Sequence, residues 1–133
     1  MVTAEQRNHA RNFLKKAEEY LASAEDDLAA DRHTPAAGGA IHAGISAKDA
    51  IVTALTGATS KGKDHATAAK ELRQAVGKRP DAASAEKALR ELLFAKGDVE
   101  YGVALITAAK AKPLVRRART LVELAVQIVR LRR

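Results

Sequence analysis

Alanine and leucine recur every three or four positions through most of this chain, and that spacing restricts it to helices. Near the start, Ala10, Leu14, Ala17, Leu21, Ala24 and Leu28 alternate steps of four and three. On a rod with about 3.6 residues per turn, such steps align the residues along one side. The same rhythm returns in Ala68, Ala69, Leu72 and Val76, in Ala85, Leu89, Leu92 and Leu93, and in Leu114, Ala118, Leu121, Ala125 and Ile128. Sheets favour aromatic and β-branched side chains. Aromatics make up only 3% of this chain and Trp is absent, although 47% of residues are apolar.

Start and stop signals divide the pattern. Thr3 and Gln6 form a capping-box pair, each side chain able to reach a backbone N–H of the first turn. The first stripe ends at Asp31-Arg32-His33, and Thr34-Pro35 predicts a second start, Thr as cap and Pro as first helical residue. That helix extends to about Thr56, with Gly57 closing it. Gly38, Gly39 and Gly44 inside it each cost roughly 1 kcal/mol against Ala, which predicts close packing against a neighbour. Asp64 caps a third helix, Gly77-Lys78-Arg79-Pro80 breaks it, Asp81 caps a fourth, and Gly97 interrupts that one. A last helix starts between Thr107 and Pro113. Its apolar face, widened by Val115, Val122 and Val129, predicts extra core or a dimer surface. Short connections between amphipathic helices imply antiparallel neighbours. The expected fold is all-α, an up-and-down antiparallel bundle of four to five helices in one domain over residues 1–133.

The absence of Cys excludes disulfides, thiolate metal sites and Cys nucleophiles. No signal-peptide layout opens the chain, and no apolar run reaches the ~18–20 residues that span a bilayer. A cytoplasmic protein without membrane contact is expected. The formal net charge of +7 attracts polyanions.

Several polar groupings are candidates for function. His42, Ser46, Asp49 and Thr53 share one face of the second helix, either lining a polar pocket or forming a solvated stripe. His42 and Asp49 stand two turns apart, ~10 Å, and form no dyad by themselves. Lys61 and Lys63 precede His65 at a helix start, where backbone N–H groups and the dipole could hold a phosphate. Asp64 competes for that position as a cap. Lys96, Glu100 and Tyr101 lie together where the chain turns; Tyr101 is either a core anchor or, with Lys96, a ligand contact. Arg116, Arg117 and Arg119 on the last helix could grip a phosphate backbone or pair with the acidic first helix. No nucleophile elbow, HExxH or carboxylate-rich metal pattern is present, and no cofactor or metal is expected.

Taken together, a set of these segments resembles a family. They are Phe13-Leu14-Lys15-Lys16-Ala17-Glu18, the run from Ile41-His42-Ala43-Gly44 through Lys48-Asp49-Ala50-Ile51, and Lys61-Gly62-Lys63-Asp64-His65 leading into Ala68, Ala69 and Leu72. Leu92-Leu93 with Lys96, Glu100 and Tyr101 follow, and then the Ala-spaced last helix. The chain is similar to small actinobacterial HEPN-like (HEPN domain) proteins from about residue 10 to 130. The resemblance implies an up-and-down bundle, often a homodimer. It also implies kinship with RNA-cleaving toxins of toxin–antitoxin pairs and with partners of small nucleotidyltransferases. The family's ribonucleases carry an Arg followed roughly four to six residues later by a His in the late helices. Here the last His is His65, and no Arg precedes any His at that spacing; Arg7-Asn8-His9 has the letters but not the distance. The resemblance therefore implies a non-catalytic module that binds RNA or a protein partner. A divergent, metal-independent ribonuclease using His42 or His65 with Lys96 and Tyr101 is the competing expectation, and an adaptor dimerising through its last helix is a third.

Overall fold

The computed structural model describes residues 1–60 and 64–131. Among them are five α-helices and no strand: α1 Ala4–Ala29, α2 His33–Thr56, α3 His65–Val76, α4 Ala82–Tyr101 and α5 Ala108–Val126, the last continuing into a π-turn Gln127–Leu131. They form an up-and-down bundle. None of these helices is long and apolar enough to cross a membrane.

The architecture is organised by α2, which touches all four other helices. Its Ala36, Ala37, Ala40, Ile41, Ala43, Ala47, Ala50, Ile51 and Val52 are all buried, so apolar positions point every way around the axis. A helix apolar on every side must be surrounded. Two glycines set how closely. A Cβ at Gly44 would stand 2.5 Å from Leu92 Cδ1 of α4, and one at Gly39 would stand 3.2 Å from Ala24 Cβ of α1. Gly38 differs, since a Cβ there meets only Val99 Cγ1 at an ordinary 3.9 Å. Close approach thus explains two of the three glycines.

Most helix ends follow the local signals. Thr3 Oγ1 accepts from the Gln6 amide at 3.1 Å and Gln6 Oε1 accepts from the Thr3 amide at 2.8 Å, completing the capping box. Gly57 closes α2 in the left-handed conformation at φ 96°, its amide donating to the Thr53 carbonyl. Four ends differ. α2 begins at His33 with Arg32 in the cap position, because the Thr34 hydroxyl is engaged elsewhere: it accepts from the Ile106 amide at 3.0 Å. Asp81 occupies the cap of α4 but its carboxylate takes Arg79, while its carbonyl receives the Ala85 amide. α4 runs straight through Gly97, anchored on either side by buried Ala95 and Val99. α5 starts at Ala108 under a Thr107 cap and carries Pro113 inside; the carbonyl that Pro113 leaves without a donor belongs to exposed Ala109.

The wide face of α5 is used within the chain. Leu114, Val115, Ala118, Leu121, Val122, Ala125 and Ile128 are buried as α5 packs on α1, α2 and α4. Val126 and Val129 are partly buried beside this core, and Leu131 at the end of the π-turn is exposed.

The two glycine environments predict opposite responses. Gly44→Val drives a branched side chain into Leu92 and should cost about 2–3 kcal/mol. Gly38→Ala meets no obstacle and should add about 0.5–1 kcal/mol through helix propensity. Urea denaturation of both variants measures the difference.

Candidate functional site

A lysine in the heart of an apolar helix needs an explanation, because a buried charge survives only when it is paired. Lys48 of α2 is 3% exposed. Its Nζ lies 2.5 Å from Glu71 Oε1 on α3 and 3.5 Å from Asp49 Oδ1, and it donates to Thr59 Oγ1 at 2.7 Å and to the Ser60 carbonyl at 3.4 Å. Thr59 in turn donates to Asp49 Oδ1 at 2.8 Å, and the Ser60 hydroxyl donates to Glu71 Oε1 at 3.0 Å. This closed circuit ties α2, the segment after it and α3 together. The two carboxylates respond differently. Burial pushes Asp49 above the ordinary aspartate value, only partly offset by the bonds from Thr59 and Lys48. Burial pushes Glu71 the same way, but the nearer Lys48 ammonium and Ser60 outweigh it and hold its carboxyl below the usual range. The three N–H donors of the ammonium are answered internally, so the cluster serves as a structural bolt.

The polar stripe of α2 is not wholly solvated, and its Thr53 lines a cleft beside His9, Asn12, Phe13 and Lys16. Ser46 and Thr53 are buried, Asp49 belongs to the lysine circuit, and only His42 faces out. His42 Nε2 lies 3.5 Å from Glu100 Oε1 of α4, and its ring stacks on Tyr20 of α1 with centroids 5.2 Å apart. Glu100 Oε1 is buried and accepts no hydrogen bond. Among the described residues, His42 and Glu100 are therefore the one pair of candidates from different helices joined by a side-chain contact.

The other candidates disperse. His65 lies with Arg90, Glu91, Leu93 and Phe94 along a separate groove between α3 and α4. Asp64 caps α3 itself, accepting from the Ala66 amide at 3.0 Å and the Thr67 hydroxyl at 2.9 Å; those bonds, Thr67 first, hold its carboxyl below the usual value. The helix start is thus occupied by the chain's own carboxylate, and Lys61 and Lys63 lie outside the described residues. Tyr101 is exposed, which overturns its reading as a core anchor, and no hydrogen bond or ion pair among the described residues joins Lys96 or Tyr101 to either histidine.

The arginines of α5 are mostly engaged. Arg117 Nε meets Glu91 of α4 at 2.5 Å, Arg119 meets Glu25 of α1, and beyond them Arg130 forks onto Glu18 of α1 at 2.7 and 2.8 Å. Glu18 raises the Arg130 guanidinium further above its ordinary value. Arg116 is exposed and pairs with no carboxylate among the described residues. Pairing with the acidic first helix is what the structure realises for Arg119 and Arg130, and it leaves little for a phosphate backbone on this face.

One surface went unread in the sequence. Phe94 and Tyr101 on α4 are 91% and 80% exposed, and Val103 and Leu105 in the following segment are 103% and 85% exposed. Half of this chain's two Phe and two Tyr therefore stand in solvent along residues 94–105. Comparison of the chain with protein-family models, with curated proteins and with solved structures finds no match in any of the three.

Removing the ammonium of the lysine circuit strands two carboxylates, so Lys48→Met should cost about 2–3 kcal/mol, less than a fully dry pair because both acids keep some water contact. The two acids carry opposite signs. Glu71, held low, contributes stability above the ordinary glutamate value and loses it as pH falls through its folded value; Asp49, held high, gains as it protonates. From neutral pH down to about 3, Glu71→Gln should flatten the acid loss of stability and Asp49→Asn should steepen it. Denaturation midpoints across that range test both slopes.

Proposed function

We propose that this chain is a non-catalytic, HEPN-like helical module that works by binding a protein partner at the corner where α4 hands over to α5. The observation that carries this reading is the exposure of Phe94, Tyr101, Val103 and Leu105 in a chain with very few aromatics. Phe94 and Tyr101 stand seven residues apart on α4, hence on one face. Val103 and Leu105 follow directly, and the segment is tied down at Ile106 by its bond to Thr34. Burying such a side chain contributes about 1.5–3 kcal/mol, and apolar surface of this kind on a soluble chain marks interaction sites. Aromatic side chains are also the ones that dominate interface energies.

The same geometry weakens the ribonuclease reading, since His42, His65, Lys96 and Tyr101 do not share a site. A toxin–antitoxin or defence setting, a cognate partner such as a small nucleotidyltransferase, homodimerisation and a cytoplasmic location belong to this proposal through the HEPN resemblance.

The patch is tested with the paired variant Phe94→Ser/Leu105→Ser. Because both positions are exposed, its stability should stay within about 0.5 kcal/mol of the parent. A protein captured from the source cells by the immobilised parent, then purified and titrated, should lose at least about ten-fold in affinity for the variant. Equal affinity for parent and variant would refute the patch, and loss of a parent self-association in sedimentation would identify the partner as a second copy. Incubation with total RNA should give no cleavage beyond that of a His42→Ala, His65→Ala control; cleavage by the parent alone would overturn the non-catalytic assignment.

A further inference from the structure

The opposite end of the bundle holds a different kind of surface. The patch end is marked by Thr34, at the start of α2; Ala54 and Leu55, about 20 residues and ~30 Å further along that helix, floor a cleft of about 750 Å³. It opens where the start of α1, the ends of α2 and α3, and the π-turn after α5 meet. Among the described residues, every charged side chain lining it is an arginine: Arg7, Arg11, Arg79 and Arg130. The rest of the lining is aliphatic, including buried Ala10, Val76 and Ile128 together with Val2, Leu55 and Val129. Among the described residues, no carboxylate, amide or hydroxyl side chain lines it.

Three of the guanidinium groups are held in place. Arg130 is gripped by Glu18, Arg7 Nη1 donates to the Val2 carbonyl at 2.8 Å, and Arg79 reaches Asp81 and Gln127, each at 3.3 Å. A guanidinium carries five N–H donors, so the single bond of Arg7 and the two of Arg130 leave further donors on each. Arg11 is exposed and makes no hydrogen bond or ion pair among the described residues. The π-turn that brings Ile128, Val129 and Arg130 to the wall is a backbone form frequently found at functional sites.

From this lining we infer a binding site for an acidic peptide segment whose carboxylates are interleaved with aliphatic residues. Arg130 and Arg79 already meet Glu18 and Asp81, but Arg7 and Arg11 pair with no carboxylate among the described residues and demand an anion, and forked guanidinium groups match carboxylates two bonds at a time. The floor demands aliphatic side chains beside that anion. A nucleotide fits less well: the lining offers no aromatic ring to stack on a base and no amide or hydroxyl side chain to meet base edges or ribose. The site is separate from the Phe94 patch and stands or falls without it.

The probe is a fluorescein-labelled peptide alternating Glu and Leu, titrated by anisotropy against the full chain. Parallel titrations use the same peptide with Ser for Leu, and a single-stranded oligoribonucleotide of equal charge. The Glu–Leu peptide should bind, weaken as salt rises, and lose about ten-fold or more with Arg11→Glu. The exposed-site control Lys112→Glu and the Phe94→Ser/Leu105→Ser pair should bind like the parent, and the Ser peptide should bind at least about five-fold more weakly. Arg11→Ala, checked for native helicity, should weaken binding in the same direction and guards against a folding artefact of charge reversal. The inference is overturned if Arg11 substitutions leave the affinity unchanged. It is overturned equally if the Ser peptide binds as well as the Leu peptide, which would make the contact charge alone, or if the RNA binds more tightly and is the ligand that Arg11 controls.

Discussion

The structure depends on the encirclement of one helix. α2 has no polar side to show to water, so the other four helices are required around it, and the spacing between them is set by what α2 lacks at Gly39 and Gly44. Dispersion and burial over such close contacts are the dominant favourable terms in a bundle this poor in aromatics. The ionic contacts act afterwards. Arg119–Glu25 and Arg130–Glu18 join α5 to α1 across the surface, where an ion pair contributes little by itself and chiefly selects which neighbour lies beside which.

That arrangement also sorts the polar groups. His42 on α2 reaches the rim toward Glu100 and Tyr20, whereas Lys48 is answered inside by Glu71, Asp49 and Thr59. Neither group resembles a cleft built around a reacting atom. The two ends carry unlike surfaces, an aromatic and aliphatic corner at one and an arginine-lined hollow at the other.

How far the sequence could be read follows the range of the interactions. Helical periodicity and the Thr3, Gly57, Asp64 and Thr107 ends are local, and each was visible in a few neighbouring letters. Thr34 misled because its hydroxyl is taken by Ile106, far along the chain, and Gly97 misled because packing at Ala95 and Val99 overrides a weak propensity. Asp49 was singled out among the site candidates, yet its neighbour Lys48 was not, since lysine reads as a surface residue until a distant Glu71 supplies its partner. The signal for Phe94 was present: with Leu89, Leu92 and Leu93 pointing inward, a phenylalanine next in line falls on the far side of the helix. The arginine hollow had no such signal, because its residues come from both ends of the chain and the middle.

The attachment of α3 has a consequence of its own. This helix is 12 residues long and touches only α2 and α4, whereas the other four helices brace one another without it. A rod of that length has little cohesion apart from its seat. It is the loose slat of the barrel: were it to lift, Lys48 would part from Glu71 and the berth of Leu72 would be uncovered, with the contacts among the other four helices left in place.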